Sequence, residues 1–194
     1  MAREAASQLL SQLTAEDEAF LVTVSTRAEL RQDFTSNMGE VADALVFNDP
    51  YGNTSLLDGV NLGLGHLKKA HTPLKALVVV SDGGDNNSRY SEGELLSLLR
   101  ETDVRIYAIG LFERPRYLEK LADETGGSVI WVRKLSDLPE AMDKLSEQIR
   151  NEYRLGYFSN RPQNDGKYHK VRVEAQPPES KQLRLSWRRG YTAP

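Results

Sequence analysis

Apolar residues recur along the chain either in short continuous runs or in longer stretches with helical spacing. The short runs are rich in β-branched residues and predict strands at residues 19–25, 30–35, 76–80, 104–109 and 129–132. The longer stretches predict helices at residues 1–13, 36–46, 54–70, 92–101, 117–125 and 138–152. Strands that alternate with helices predict a doubly wound, mainly parallel sheet flanked by helices on both faces.

The pattern changes after residue 152. Strand-like alternation without intervening helices occurs at residues 153–158, 168–175 and 183–187, with turn-rich segments between them. We therefore predict two parts: an α/β domain over residues 1–152, which starts at its first helix, and a small antiparallel β extension over residues 153–194 that packs on it.

Composition and charge narrow the class of protein. With 39% hydrophobic and 27% charged residues, the 194-residue chain fits a soluble globular protein. Its net charge of −3 gives no bulk attraction to nucleic acid or to an anionic membrane, so neither is expected as a partner. The absence of cysteine removes disulfides and thiolate metal ligands. We expect neither a secretory signal nor a membrane segment, and the compartment is left unknown.

The tail departs from the overall acidity, because residues 181–190 contain four basic residues and no acidic residue. These are Lys181, Arg184, Arg188 and Arg189. We expect a solvated basic edge strand, and a docking patch for an acidic partner is the alternative.

Two polar residues follow or precede predicted elements at the edge where open α/β sheets bind ligands, the carboxyl ends of the strands. Asp82 follows the strand at residues 77–81, and Thr54 starts the helix at residues 55–70. A carboxylate and a hydroxyl are hard oxygen ligands suited to Mg²⁺ or Ca²⁺. Spacing alone leaves a second interpretation open, in which Thr54 is a helix N-cap and Asp82 forms a turn.

Four segments in the same order resemble those of von Willebrand factor A domains. Residues 52–58, Gly-Asn-Thr-Ser-Leu-Leu-Asp, resemble the Gly-Gly-Thr-x-Leu-x-Asp segment of that family, and residues 79–86 resemble its Ser/Thr-Asp-Gly segment. Residues 104–110 resemble its fifth strand, and residues 121–127 the stretch that leads into the sixth. With residues 153–157, 170–173 and 189–191 of the tail, the resemblance to the bacterial "VWFA-related" branch seen in acidobacteria covers nearly the whole chain.

The resemblance implies a metal-ion-dependent adhesion site in which Thr54 and Asp82 act together with an Asp-x-Ser-x-Ser motif. The chain does not contain that motif, since none of its aspartates has serine two and four positions later. Two protein groups would hold Mg²⁺, Mn²⁺ or Ca²⁺ loosely, so we expect weak or no binding. Asp58, Asp85 and Ser81 are candidate neighbours of the site; a solvated helix position for Asp58 and a loop-shaping role for Asp85 are the alternatives.

In the family, the missing motif follows a central first strand, which this sequence also lacks. That strand would lie between the strands matching residues 20–25 and 77–81, so each would lose hydrogen bonds. Either these two strands pair directly, or another chain fills the gap, or the protein begins upstream of Met1. We favour the last, which predicts an apolar strand and Asp-x-Ser-x-Ser in the coding sequence upstream of Met1.

The function implied by the resemblance is a protein-binding module and not an enzyme. Its ligand would be a protein that offers a carboxylate to complete the metal coordination, and full-length relatives imply a cell-envelope or extracellular setting. One alternative is a metal-independent scaffold in which Thr54 and Asp82 are only caps. The other is a metal-assisted hydrolase that uses Asp82 and Asp85, although no histidine or lysine next to these loops could act as its base.

Overall fold

The computed structural model describes residues 7, 9–46, 53–82, 84–153, 155–156, 165–176 and 185–193. Residues 9–11 are helical, and helices and strands alternate as expected over residues 56–150. The strands are β1 Ala19–Val24, β2 Ala28–Thr35, β3 Ala76–Ser81, β4 Arg105–Leu111, β5 Ser128–Val132, β6 Tyr168–Lys170 and β7 Gly190–Thr192. The helices are α1 Met38–Val46, α2 Leu56–Leu67, α3 Glu92–Arg100, α4 Arg116–Thr125 and α5 Leu138–Arg150, which a short 3-10 turn at Leu135–Asp137 precedes.

The central layer contains a three-stranded parallel sheet in the order β3-β4-β5. Its register pairs Val78 with Tyr107 and Ile109 with Ile130. β1 and β2 form a separate antiparallel pair, and β6 and β7 form a second one. The predicted α/β class, with a mainly parallel sheet flanked by helices and a small antiparallel sheet, is therefore confirmed.

β4 lies in the middle of the parallel sheet and is covered on both faces. Because side chains alternate along a strand, Ile106 and Ala108 face one cluster and Tyr107 and Ile109 face the other. The first cluster gathers apolar residues of α2, α3 and α4: Leu64, Leu95, Leu99, Leu118 and Leu121. The second gathers α5 and the N-terminal helical residue Leu9 with Leu138, Met142 and Leu145. Burial of both faces of β4 thus explains why its sequence is a continuous apolar run.

Direct pairing of β1 with β3, one of the three expected outcomes, is wrong for the described residues. β1 pairs with β2 and β3 pairs with β4, while helix α2 packs against both β1 and β3. A Cβ at Gly59 would lie 2.4 Å from Val24 Cγ2, and one at Gly63 would lie 2.9 Å from Leu77 Cδ1. The two glycines therefore let one helix approach both strands closely and bridge the two sheets.

The C-terminal extension differs from its prediction. Within residues 153–158, the described residues 153, 155 and 156 form no strand, and the others lie outside the described residues. Residues 185–187 are likewise not a strand, residues 183 and 184 are not described, and the strand lies at Gly190–Thr192. The reason is a tertiary contact, since the Ser186 hydroxyl donates to the carbonyls of Gly126 and Gly127 at 2.8 and 2.9 Å.

The structure also differs from the predicted solvated basic edge strand at the described residue Arg188. Arg188 Nη1 lies 2.6 Å from Asp103 Oδ1, and its Nη2 donates to the Arg100 carbonyl at 2.6 Å. Arg188 is thus partly exposed but bonded to the segment before β4, and it does not lie in a strand. Lys181 and Arg184 lie outside the described residues, as do residues 48–52 of the predicted turn before Thr54. No helix in the described parts of the chain is long and apolar enough to cross a bilayer.

Candidate functional site

Four chain segments meet at the edge formed by the carboxyl ends of the parallel strands. Asp82 directly follows β3, Thr54 and Ser55 directly precede α2, and Tyr117 lies in the first turn of α4. The end of β1 reaches the same edge, because the Ser55 amide donates to the Ser25 carbonyl at 2.9 Å. The predicted placement of Thr54 and Asp82 at one edge of the sheet agrees with this geometry.

The side chains of Thr54 and Asp82 lie near each other. A Cβ built at Gly84 would lie 3.9 Å from Thr54 Oγ1 and 4.0 Å from Asp82 Oδ1, so the two oxygens are separated by no more than the sum of these distances. Neither oxygen has a hydrogen bond or ion pair with another described residue. Both oxygens thus border the position beside Gly84, and within the described part of the chain this hydroxyl and this carboxylate are available to a ligand.

Two asparagines in the loop after β3 hold Thr54 in place. The Thr54 amide donates to Asn86 Oδ1 at 2.9 Å, and the amides of Asn86 and Asn87 donate to the Thr54 carbonyl at 3.0 and 3.2 Å. Asn87 Nδ2 also donates to the Thr26 carbonyl at 2.8 Å, which ties the loop to the end of β1. Sequence reasoning missed these residues, although asparagine in a turn is the usual signal for such backbone bonds.

Asp85, a predicted neighbour of the site, caps α2. Its Oδ1 accepts from the Leu56 amide at 3.0 Å and from the Ser88 hydroxyl at 2.6 Å. Ser55 occupies the N-cap position of α2 but makes no side-chain cap hydrogen bond. The helix is therefore capped from a distant loop, and the hydroxyl of Thr54 is not its cap.

Asp58, the second predicted carboxylate neighbour, also stabilises the fold by accepting hydrogen bonds from the backbone. Its Oδ1 accepts from the amides of Arg89 and Tyr90 at 2.8 and 3.1 Å. These bonds attach the segment that leads into α3 to the first turn of α2. Asp58 is therefore not a solvated helix position, and it stabilises the loop that carries Asp82.

Tyr117 is a residue of the site that sequence reasoning missed, since it was predicted only as the start of a helix. Burial, followed by the carboxylates of Asp85 and Asp82, raises the pKa of Tyr117 to about 12, against the opposing effect of a hydrogen bond with Ser81. Ser81, the third predicted neighbour, is buried at the end of β3. Burial is the largest cause of the shift, and the remaining upward contribution comes from the carboxylates of Asp85 and Asp82, whose negative charge favours a bound cation.

Within the described part of the chain, no three histidine, cysteine, aspartate or glutamate side chains are grouped closely enough to hold a metal ion. The residues present therefore fit part of a divalent-cation site. Thr54 and Asp82 supply two oxygens, whereas Mg²⁺ takes six, so water or a ligand would supply the rest.

Comparisons with solved structures identify the fold. A von Willebrand factor type A structure from Catenulispora acidiphila aligns with a TM-score of 0.64 at 19% identity, covering 76% of this chain and 37% of that one. This chain has the von Willebrand factor A fold. Proximal thread matrix protein 1 of the mussel byssus, solved with a zinc-occupied MIDAS motif, aligns with a TM-score of 0.58 at 20% identity, covering 75% of this chain and 39% of that one.

A third structural neighbour is an aerotolerance-related membrane protein from Bacteroides fragilis. It aligns with a TM-score of 0.63 at 16% identity and covers 78% of this chain and 87% of that one. In sequence, an uncharacterized protein of Borreliella burgdorferi is 26% identical over 98 residues, which are 50% of this chain and 26% of that protein. No family model matches the sequence. The chain thus spans about a quarter of that relative and less than half of two structural neighbours.

Proposed function

We propose that this chain is a protein-binding module whose ligand offers a carboxylate to a divalent cation held by Thr54 and Asp82. The observation that carries the proposal is the pair of oxygens that lie near each other at the carboxyl edge without a described protein partner. Loops in this position on a rigid sheet are where α/β proteins bind ligands.

The chemistry of the two groups supports Mg²⁺, Mn²⁺ or Ca²⁺, since all three prefer oxygen ligands. With two protein ligands the cation would be bound weakly and would keep several waters. A carboxylate from a partner would replace one of those waters and add a negative charge, so cation and partner would strengthen each other's binding. The mussel protein with its zinc-occupied motif supports metal binding within this fold.

Binding is favoured over catalysis by the side chains around Asp82. A metal-assisted hydrolase needs a positioned base or nucleophile beside the metal. Tyr117, the titratable side chain beside Asp82 and Asp85, has a pKa of about 12, so it is protonated at neutral pH and cannot act as that base. We therefore propose that the chain is not an enzyme.

A metal-independent scaffold is a second candidate, and a specific observation favours it. The loops at the edge are held by hydrogen bonds from Asp85, Asn86 and Asn87, which need no cation to form. In that case the free oxygens of Thr54 and Asp82 would face only water.

Titration calorimetry with Mg²⁺, Mn²⁺ and Ca²⁺ separates the two candidates. The unmodified chain is expected to bind at least one cation weakly and to bind it more tightly when acetate is added as a carboxylate probe. Asp82→Asn and Thr54→Val should each weaken binding by about tenfold or more, the usual effect of losing a charge-assisted ligand. Asp43→Asn, an exposed carboxylate on α1, is the matched control and should bind as the unmodified chain does. Absence of heat with all three cations would favour the scaffold.

The cellular setting is a further part of the proposal. The similarity to an aerotolerance-related membrane protein favours association with the cell envelope. Fractionation of cells that express the native gene, followed by immunoblotting, tests this. Recovery of the protein in the envelope or medium would support it, and recovery in the cytosolic fraction alone would contradict it.

A further inference from the structure

Phe112, in the loop between β4 and α4, is unusual in both conformation and exposure. Its φ is +67°, the left-handed region that bulky residues rarely adopt, and it is the one non-glycine residue with positive φ among those described. Its side chain is 59% exposed. An aromatic residue therefore occupies a position that glycine would fill at lower conformational cost.

The backbone around Phe112 explains how this conformation is held. The Glu113 amide donates to the Leu111 carbonyl at 2.7 Å, which makes Phe112 the central residue of a tight three-residue turn with positive φ. The Phe112 amide donates to the Val132 carbonyl at 2.9 Å and so anchors the turn to the end of β5. Strain of this type is found where function requires it, and the fixed turn projects the ring into solvent.

The turn lies next to the candidate site. Ser81 of β3 pairs with Gly110 of β4. The next residues, Asp82 and Leu111, therefore lie beside each other, one strand spacing apart. Phe112 follows Leu111. Tyr117, just after the same loop, lies near enough to Asp82 for that carboxylate to contribute to its raised pKa. The Phe112 turn and Asp82 therefore lie at the same edge of the sheet, at the ends of neighbouring strands.

Exposed basic residues follow Phe112 along the chain and also follow β5, whose last residue, Val132, accepts the bond from the Phe112 amide. The segments that follow β4 and β5, residues 112–116, which end at the first residue of α4, and 133–137, contain four cations: Arg114, Arg116, Arg133 and Lys134. They contain two carboxylates, Glu113 and Asp137. None of the four cations forms an ion pair with a residue that the structure describes, although Arg114 lies over the Trp131 ring at 5.8 Å. This local excess of positive charge contrasts with the net charge of −3 for the chain.

We propose that Phe112 and these four cations form a docking surface for an acidic polypeptide segment that also carries an apolar or aromatic side chain. The cations would attract the carboxylates of the segment, and Phe112 would pack against its apolar side chain. The inference rests on the proposed function in one respect: the same partner would supply the carboxylate to the cation at Asp82.

An anionic membrane is the other surface that basic residues and an aromatic ring can bind. A polypeptide is favoured because one aromatic residue offers little area for insertion into a bilayer.

Binding to synthetic polymers tests the proposal in EDTA, where no cation contributes. The probes are poly-L-glutamate and a random copolymer of glutamate and tyrosine, measured by biolayer interferometry against the immobilised full chain. The unmodified chain should prefer the copolymer. Phe112→Gly should remove that preference and weaken copolymer binding about tenfold, as expected for a central aromatic contact, without lowering the melting temperature. Leu74→Gly, a 61%-exposed apolar residue before β3, is the control and should bind normally.

The contribution of charge is tested by two matched double variants. Arg133→Gln with Lys134→Gln should weaken binding of both polymers, whereas Lys68→Gln with Lys69→Gln, two adjacent exposed cations just after α2, should not. Copolymer affinity that is unchanged in Phe112→Gly would overturn the proposal. Phe112-dependent binding to phosphatidylglycerol vesicles without copolymer binding would also overturn it. Because the polymers are tested in EDTA and the cations are titrated without polymer, failure of the cation site and failure of this surface are distinguishable.

Discussion

The two edges of the parallel sheet differ in whether their polar groups pair within the chain. At the amino edge, the C-terminal extension contacts the connections that lead into β4 and β5 through Ser186, Trp187 and Arg188. At the carboxyl edge, Thr54 and Asp82 have no described partner for their side-chain oxygens, and Phe112 is exposed.

This difference indicates where a ligand would bind. Polar groups that hydrogen-bond within the chain stabilise the fold, whereas groups left unpaired at a rigid edge are available to bind a ligand. Described polar groups of the extension are bonded within the chain, as in the bond from Trp187 Nε1 to the Val171 carbonyl at 3.0 Å. The amino edge therefore serves stability, and the carboxyl edge is the candidate for binding.

The largest expected effect is at the amino edge, at the end of α4. Gly126 has a φ of +77°, and a Cβ there would lie 2.4 Å from the carbonyl carbon of Trp187. Gly126→Ala should therefore destabilise the fold by about 3 kcal/mol, from backbone strain and displacement of the extension. Urea denaturation measures the change. Gly65→Ala, within α2 and without neighbours at its Cβ, is the control and should stabilise by about 1 kcal/mol. Equal stability of the two variants would mean that the extension does not pack against Gly126.

The next largest expected difference in the free energy of unfolding is between substitutions of two aspartates in the loop after β3. Asp85→Ala should cost about 1–2 kcal/mol, because the Leu56 amide loses its cap. Asp82→Asn should change the free energy of unfolding by less than about 0.5 kcal/mol, since its carboxylate has no described partner. Chemical denaturation of both variants tests the assignment of Asp85 to structure and Asp82 to binding. A large loss of stability in Asp82→Asn would contradict it.

A smaller effect is expected at the amino edge from Arg188→Ala, which removes an ion pair with Asp103 and a bond to the Arg100 carbonyl. These partly exposed contacts should contribute about 1 kcal/mol to the free energy of unfolding. Arg189→Ala is the matched control, because the Arg189–Asp123 pair is 3.9 Å apart and half-exposed, and it should have almost no effect. Similar losses in both variants would show that the close contacts of Arg188 add no stability.

The smallest change in stability is expected from Gly84→Ala at the carboxyl edge. The added methyl group would lie at ordinary contact distance from Thr54 Oγ1 and Asp82 Oδ1, so the free energy of unfolding should change by less than about 0.5 kcal/mol. The same methyl group would crowd the waters of a cation between these oxygens. Calorimetry should therefore show weaker cation binding by a fold that is intact in circular dichroism. Unchanged cation affinity would place the cation elsewhere.

Sequence reasoning succeeded where a feature depends on local periodicity or on its place in the element order. The apolar run of β3, buried by its neighbours, was readable as a strand, and the order of elements then placed Thr54 and Asp82 at one edge. Glycine after a predicted helix is a usual C-cap signal, and Gly126 after α4 has the left-handed conformation of such a cap.

The rest was decided by contacts between residues far apart in the chain. The cap of α2 comes from Asp85, which lies 29 positions from Leu56, and the bond from Ser186 to Gly126 spans 60 positions. The sequence by itself determined the α/β class, the element order and the edge that carries Thr54 and Asp82, because these follow from hydrophobic spacing. Tertiary structure alone decided which polar groups are paired, how the extension docks and that Phe112 is exposed, since each depends on which distant segment arrives beside it.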